Sequence, residues 1–360
     1  MLRVAPKSRL FRVAKRLQRQ SAEGLKVNGT DLNMGDRILH NSLLLSIAIP
    51  TYNRNERVID RLEEMRTWNY DWLEIIIVDN ASANHPKIDS FSSINQSIRL
   101  VKNKINIGAP ANVLKCIEEA SGKFLWILSD DDEILPGALD FVKAILDSEP
   151  HVGLVSLGEH AAQQYTGASV GDFIAAMPSW SNQIILGNTI YLLRPLQENL
   201  HLLYHFVSSM CPQFTASLIC ITHSEKFLFC QAQVVKMIPL EPHIPQWSYL
   251  NSYQMFGIVR HTSLLKIREA WSLKRKIWKS LPAYKTFFFH TIKSLADGGI
   301  AKENMLNVWL NIFEDCPCSF KIKMIITLPI FMFPRACLLH LSSLVERFYG
   351  LKLRPVSEPY

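Results

Sequence analysis

"LLLSIAIPTYNRNE", Leu43 to Glu56, decides the fold. Its first eight residues are apolar except for Ser46 and end at Pro50, which suits a short strand buried on both faces. "TYNRNE" is polar and turn-prone. From Glu56 to Trp68 the apolar residues Val58, Leu62 and Met65 then recur at helical spacing. A buried strand that passes through a polar turn into an amphipathic helix is the first half of a βαβ unit.

The same alternation continues outward. "LEIIIVDN" reads as a second buried strand with Asp79 and Asn80 at its carboxyl end, and "IRLV" at 98–101 as a short third. "NIGAPANVLKCIEEASG" is a loop feeding a helix, with Gly122 as its expected C-cap. "KFLWIL" is another buried strand and runs into Ser129, Asp130, Asp131 and Asp132. Pro136 is expected in the first turn of a helix reaching about Leu146, and "VGLVSL" gives one more strand. This order predicts an α/β fold, a doubly wound, mostly parallel sheet flanked by helices. Such sheets bind ligands at the carboxyl ends of their strands. Residues 51–54, 79–80 and 130–132 should therefore converge on one rim.

A single aspartate after a strand is commonly a turn former. Three in a row repel one another unless a cation or a hydrogen-bond donor sits among them. Hard divalent ions such as Mg²⁺ or Mn²⁺ take carboxylate oxygens and bridge to phosphates with one or two protein carboxylates. The chain has neither GxGxxG nor a Walker pattern, so a nucleotide at this rim would depend on a metal.

Composition narrows the partners. The 360 residues are 48% hydrophobic, enough for a core, and the seven cysteines show no CxxC spacing, which favours free thiols in a reducing compartment. The formal charge of +7 is uneven, because residues 1–20 hold seven basic side chains and no acid, and residues 266–293 hold eight against Glu269. Two basic poles suggest a polyanionic partner, either membrane or nucleic acid. The N-terminus lacks an apolar h-region and reads as a basic amphipathic helix or a disordered arm. "MIITLPIFMFP", Met324 to Pro334, is shorter than the roughly 18 residues a span needs. No transmembrane crossing is expected.

"SIAIPTYNR", "IIIVDNAS", "NIGAPANV" and "ASGKFLWILSDDDEILPGAL" resemble, in order, the motifs of family 2 glycosyltransferases, nucleotide-diphospho-sugar transferases of the GT-A fold. The wording is most similar to the abequosyltransferase and rhamnosyltransferase type of bacterial surface polysaccharide synthesis. The resemblance covers about residues 43–157. It implies a basic arm over 1–41, a GT-A domain over 42–262 with donor half 42–157 and acceptor half 158–262, and a helical C-terminal extension over 263–360.

By position, the resemblance places Thr51, Tyr52 and Arg54 at the nucleotide base and ribose, Asp79 at the base with Asn80 beside it, and Asp130 at the ribose. It places Asp131 and Asp132 at the metal, Asp131 as the dominant ligand and Asp132 holding the loop or capping the helix near Pro136. Asn80 stands where many members have a second acid, and Ser129 where the commonest spelling of the DXD region has its first aspartate. "FTASLICITHSEKF", Phe214 to Phe227, looks like a strand and turn leading to the acceptor site. Glu241 and His243 in "LEPHIPQW" are the candidates for a general base, each able to take a hydroxyl proton near neutral pH. His201 and His205 have a zinc-like i, i+4 spacing but read as ordinary helix packing.

The basic-aromatic stretch after residue 263 suits either single-stranded nucleic acid or a bilayer surface. The donor-site resemblance favours the membrane and leaves no role for nucleic acid. The implied function is transfer of a sugar, with Mg²⁺ or Mn²⁺, from a nucleotide-diphosphate donor to a hydroxyl of a glycan, itself expected to be lipid-linked. The enzyme would be peripheral at the cytoplasmic, inner face of the plasma membrane. A nucleotidyltransferase and a catalytically idle membrane scaffold are the alternatives.

Overall fold

The computed structural model describes residues 43–66, 68, 70–88, 98–158, 164–177, 180–237, 261, 264–280 and 318–349, with scattered positions between 288 and 316. The chain divides into two units, Met1–Tyr204 with Gln213–Pro239, and His205–Pro212 with Leu240–Tyr360.

The first unit is built on an eight-stranded sheet in the order β3-β2-β1-β4-β8-β6-β9-β7. Its strands are β1 (Leu45–Thr51), β2 (Leu73–Asp79), β3 (Ile98–Lys102), β4 (Phe124–Ile127), β6 (Val152–Leu157), β7 (Tyr165–Gly167), β8 (Thr189–Leu192) and β9 (Lys226–Cys230). β1 pairs in parallel with both β2 and β4, β2 with β3, and β6 with β9. β8 enters antiparallel between β4 and β6, and β7 closes the far edge antiparallel to β9. The sheet is therefore mostly parallel, as the apolar runs indicate. Every residue of β2, and all of β1 except Pro50, is buried.

Helix α1 (Asn55–Met65) presents Val58, Leu62 and Met65 to the sheet, where they join a core of Leu45, Ile47, Ile49, Ile75 and Ile77. Helix α2 (Ala109–Glu119) buries Val113, Leu114, Cys116 and Ile117, and packs against β1 and β2. Its C-cap is Ala120 in an extended conformation, not Gly122. Gly122 serves a different need: a Cβ there would stand 2.7 Å from the Ser46 backbone nitrogen, and its own N–H donates to Ser46 Oγ at 2.8 Å.

Helix α3 (Ala138–Ser148) begins after Pro136, because Gly137 at φ 81° makes the left-handed turn that starts it. The segment Phe214–Phe227 also departs from expectation. Its first part lies in an α-helix, Pro212–Thr222, and only Lys226 onward is strand. The run is apolar on all sides, so periodicity alone could not separate a buried helix from a strand. Two of its hydroxyls bond within the helix, Ser217 Oγ donating to Gln213 O and Thr222 Oγ1 to Leu218 O. A small antiparallel ribbon of β5 (Asp132–Ile134) and β10 (Val235–Met237) follows the aspartates directly.

The second unit is helical where it is described. Its longer helices are Ile267–Ser280, Cys318–Thr327 and Arg335–Tyr349. His261 is fully buried in it, its Nε2 within 2.9 Å of Ser209 Oγ and its ring against Phe206, and burial pushes its imidazole down to about 3. All seven cysteines are free thiols.

Candidate donor site

The parallel strands deliver their polar ends to one rim, as their shared direction requires. β1 ends at Thr51 and β2 at Asp79, and the residue after each strand continues the register, Asn80 N donating to Thr51 O at 2.9 Å. β4 sends the aspartates to the same edge. The convergence is direct at Asp130: Thr51 Oγ1 donates to its Oδ2 at 2.8 Å and Arg54 Nη1 to its Oδ1 at 2.7 Å. Burial pushes the Asp130 carboxyl up and Asp131 adds to the rise, against the opposing pull of Arg54 and Thr51. Arg54 occupies the N-cap position of α1 and cannot cap it, because a guanidinium has no acceptor for the helix N–H groups; its side chain pairs with Asp130.

The three aspartates have three environments. Asp130 is buried, and each of its oxygens accepts one bond from the protein. Asp132 is also buried: its Oδ2 accepts from the Ser129 N–H at 2.9 Å, and its own N–H donates to Ser129 O at 3.1 Å. It therefore holds the loop closed and does not cap the helix near Pro136. Burial, with Asp131 and Asp130 beside it, pushes its carboxyl up to about 7. Gly187 makes room for it, because a Cβ there would lie 2.8 Å from Asp132 Oδ2. Asp131 is only half-buried and forms no hydrogen bond or ion pair with any described residue. It is the most accessible carboxylate of the triplet.

Asp79 is wholly buried. Its Oδ1 accepts from the Ser82 N–H at 3.2 Å and from the Ser82 hydroxyl, and its Oδ2 meets His85 Nδ1. Asn80 ties the end of β2 to residues 103–107: its Nδ2 donates to Asn106 Oδ1 at 2.7 Å, and its Oδ1 accepts from Asn103 Nδ2 at 3.1 Å and Ile107 N at 2.9 Å. Asn103 also donates to Asn112 Oδ1 at 2.8 Å, and Asn112 Nδ2 to Val78 O at 2.9 Å. An acid at position 80 could not make the donor bond to Asn106, which gives the departure from the commoner carboxylate a structural use. Tyr52 is half-buried at the same rim. A cavity of about 530 Å³ lies at the loop after β2, lined by Asn55, His85, Lys87, Leu100 and Lys102 among others, and neither Tyr52 nor the aspartates 130–132 line it.

Sequence reasoning missed Ser82, His85, Arg61, Asn103, Asn106 and Asn112. Ser82 follows Asp79 by three residues, a local signal for a side-chain turn. Arg61 carried none: it is a buried cation in α1 whose Nη1 donates to Glu64 Oε2 at 2.7 Å and to the Asp132 carbonyl at 3.2 Å. Glu241 and His243, the candidate general bases, lie outside the described residues. His201 and His205 sit on the short helix Leu200–His205, and among the described residues no group of three or more His, Cys, Asp or Glu could hold a metal.

The mostly parallel sheet flanked by helices, with polar strand ends gathered on one rim, is similar in fold to GT-A glycosyltransferases. Residues 46–167 match the model of glycosyl transferase family 2. The chain is 32% identical over 118 residues to abequosyltransferase RfbV of Salmonella typhimurium, covering 31% of this chain and 35% of that protein. It is 31% identical over 98 residues to the GalNAc(5)-diNAcBac-PP-undecaprenol beta-1,3-glucosyltransferase of Campylobacter jejuni, covering 26% and 32%. The chain thus spans about a third of the length of these curated relatives. The crystal structure of S. aureus TarS 1–349 in complex with UDP-GlcNAc is similar in fold, with a TM-score of 0.53 at 15% identity over 86% of this chain and 93% of that one.

Proposed function

We propose that this chain transfers a sugar from a nucleoside-diphosphate donor to a hydroxyl of a bacterial surface glycan carried on a lipid. The observation that carries the reading is the division of labour at the rim, where two buried aspartates are held by protein groups and half-buried Asp131 is not. The names of the similar proteins support the substrate class, since one acts on an undecaprenol-linked glycan and another has been crystallised with a UDP-sugar.

The donor set fits a divalent metal. A hard ion of the Mg²⁺ or Mn²⁺ kind needs only one or two protein carboxylates when substrate phosphates complete its shell, and Asp131 offers hard oxygens with no competing partner. Bound there, the ion would neutralise charge developing on the leaving diphosphate. The chain's own residues do the rest. Thr51 and Arg54 fix Asp130 for the ribose, Tyr52 and the Asp79–Asn80 pair shape the base end, and Asp132 keeps the 129–132 loop tight so that Asp131 faces outward. Glu241 or His243 takes the proton of the acceptor hydroxyl as the sugar is transferred. The chain works as a peripheral protein on the cytoplasmic face of the membrane, where its basic segments meet anionic lipid, and nucleic acid is not its partner.

The test is a screen of nucleoside diphosphates for thermal stabilisation with and without Mn²⁺, followed by product analysis with the matching sugar nucleotide. Binding to the native state alone raises its stability with ligand concentration. Release of nucleoside diphosphate supports the proposal, and release of pyrophosphate would assign a nucleotidyltransferase instead. No metal-dependent binding of any diphosphate would leave an idle scaffold.

A further inference from the structure

In the second unit, helix Cys318–Thr327 is followed by a 3₁₀ turn over Leu328–Met332 and by helix Arg335–Tyr349. Phe320, Met324, Ile330 and Leu338 are buried and form the inner side of this segment. The outer side is apolar as well. Ile322, Ile325 and Ile326 are 59%, 59% and 70% exposed, at i, i+3 and i+4, and so share one stripe. Met332 follows at 83%, with Phe333 and Leu339 also exposed. A groove of about 450 Å³, lined by Phe333, Leu341 and Leu344 among others, lies in the same segment. A segment with apolar side chains on both its buried and its outer side presents a surface that water alone does not suit.

The charges identify the occupant. From Cys318 to Leu339 the ionised side chains are Lys321, Lys323 and Arg335, with no acid among them. Lys323 and Arg335 are exposed and Lys321 half-buried, so cations stand beside the apolar stripe and at its end. Apolar side chains bordered only by cations match a leaflet of anionic phospholipid, whose phosphates meet the cations while its acyl region takes the apolar groups. Among the described residues no helix is long and apolar enough to cross a membrane, so the fit is to one leaflet.

We propose that the outer face of residues 322–341 inserts into an anionic bilayer surface, with Ile325, Ile326, Met332 and Phe333 as its apolar anchors. The inference deepens the peripheral-membrane part of the proposed function, since it replaces attachment by charge alone with insertion at a defined face.

The full chain is sedimented with vesicles of phosphatidylcholine alone and of phosphatidylcholine mixed with phosphatidylglycerol. Each is tested at low salt and in roughly 0.5 M salt, where charges more than a few ångström apart are screened. The same series is run on Ile325→Ser/Ile326→Ser, whose exposed positions leave the fold intact, as circular dichroism checks. The wild type is expected to prefer the anionic vesicles and to stay partly bound in high salt. The double variant should bind roughly tenfold or more weakly, because burying even one isoleucine is worth about that factor. If the wild type binds but is fully released by salt, and the variant behaves identically, attachment is purely electrostatic and the insertion is wrong while the peripheral reading stands. Absence of any vesicle binding overturns both. A concentration-dependent dimer that the variant abolishes, without vesicle binding, would assign the face to a second copy of the chain.

Discussion

Replacing Asn80 by Ala tests whether the asparagine network organises the rim. The substitution deletes three hydrogen bonds, to Asn106 at 2.7 Å, from Asn103 at 3.1 Å and from Ile107 N at 2.9 Å. Two of the partners keep another bond, since Asn106 Oδ1 still accepts from Gly108 N and Asn103 Nδ2 still donates to Asn112 Oδ1. Ile107 N loses its partner, but Ile107 is exposed enough for water to reach it. Three bonds at about 1 kcal/mol net each, with little added for an orphaned donor, give a loss of roughly 2–4 kcal/mol. That is a large share of the stability of an ordinary domain. Urea titration at neutral pH should show the midpoint falling with the slope unchanged, and nucleoside-diphosphate affinity should weaken because residues 103–108 lose their tether. Asn80→Asp separates the network's two halves: it keeps an acceptor for Asn103 and Ile107 but sets a carboxylate oxygen against Asn106 Oδ1. A loss below about 0.5 kcal/mol in Asn80→Ala, within the range of an ordinary surface substitution, would refute the reasoning.

Gly122→Ala should destabilise the first unit by about 1–3 kcal/mol or more, because the new methyl would meet the backbone of Ser46 and Leu45, which cannot rotate away; denaturant midpoints measure it. His261 gives the second unit a pH dependence. Its folded pKa, about 3, is depressed from 6.5, so the stability it allows is fully present above pH 6.5 and is lost as pH falls toward the folded value. Between pH 7 and pH 5 the loss is about 2 kcal/mol. Paired urea titrations should find this loss as the pH-dependent difference between wild type and His261→Gln, in which the opposite contribution of Asp132 cancels. Asp132→Asn keeps an oxygen to accept from Ser129 N and should retain donor binding, measured by calorimetry, whereas Asp132→Ala should weaken it through the loosened loop.

The central strands were legible because a strand buried on both faces must be an unbroken apolar run, as in "LSIAIP" and "LEIIIV", and parallel strands put their polar exits on one rim. The meeting of Thr51, Arg54 and Asp130 follows from that rule. β8 was hidden for the opposite reason: "TIYL" is four residues long, and its placement between β4 and β6 depends on long-range pairing with no local mark. The helix containing "FTASLICIT" lacks a polar face, so its period could not be read. At the rim, residue types near the strand ends could be read but their partners could not, since Asn80 bonds across to 103–107 and Arg61 reaches from α1 to the Asp132 carbonyl. A buried arginine on an amphipathic helix looks, in sequence, like one more solvated charge.

Calorimetry of nucleoside-diphosphate binding to wild type and Asp131→Asn, with and without Mn²⁺, tests the donor site most directly. The account predicts that Mn²⁺ tightens binding to the wild type and has no effect on Asp131→Asn, whose neutral amide cannot offset a divalent charge. Equal tightening by Mn²⁺ in both proteins would contradict it, because Asp131 would then not be the carboxylate that holds the metal.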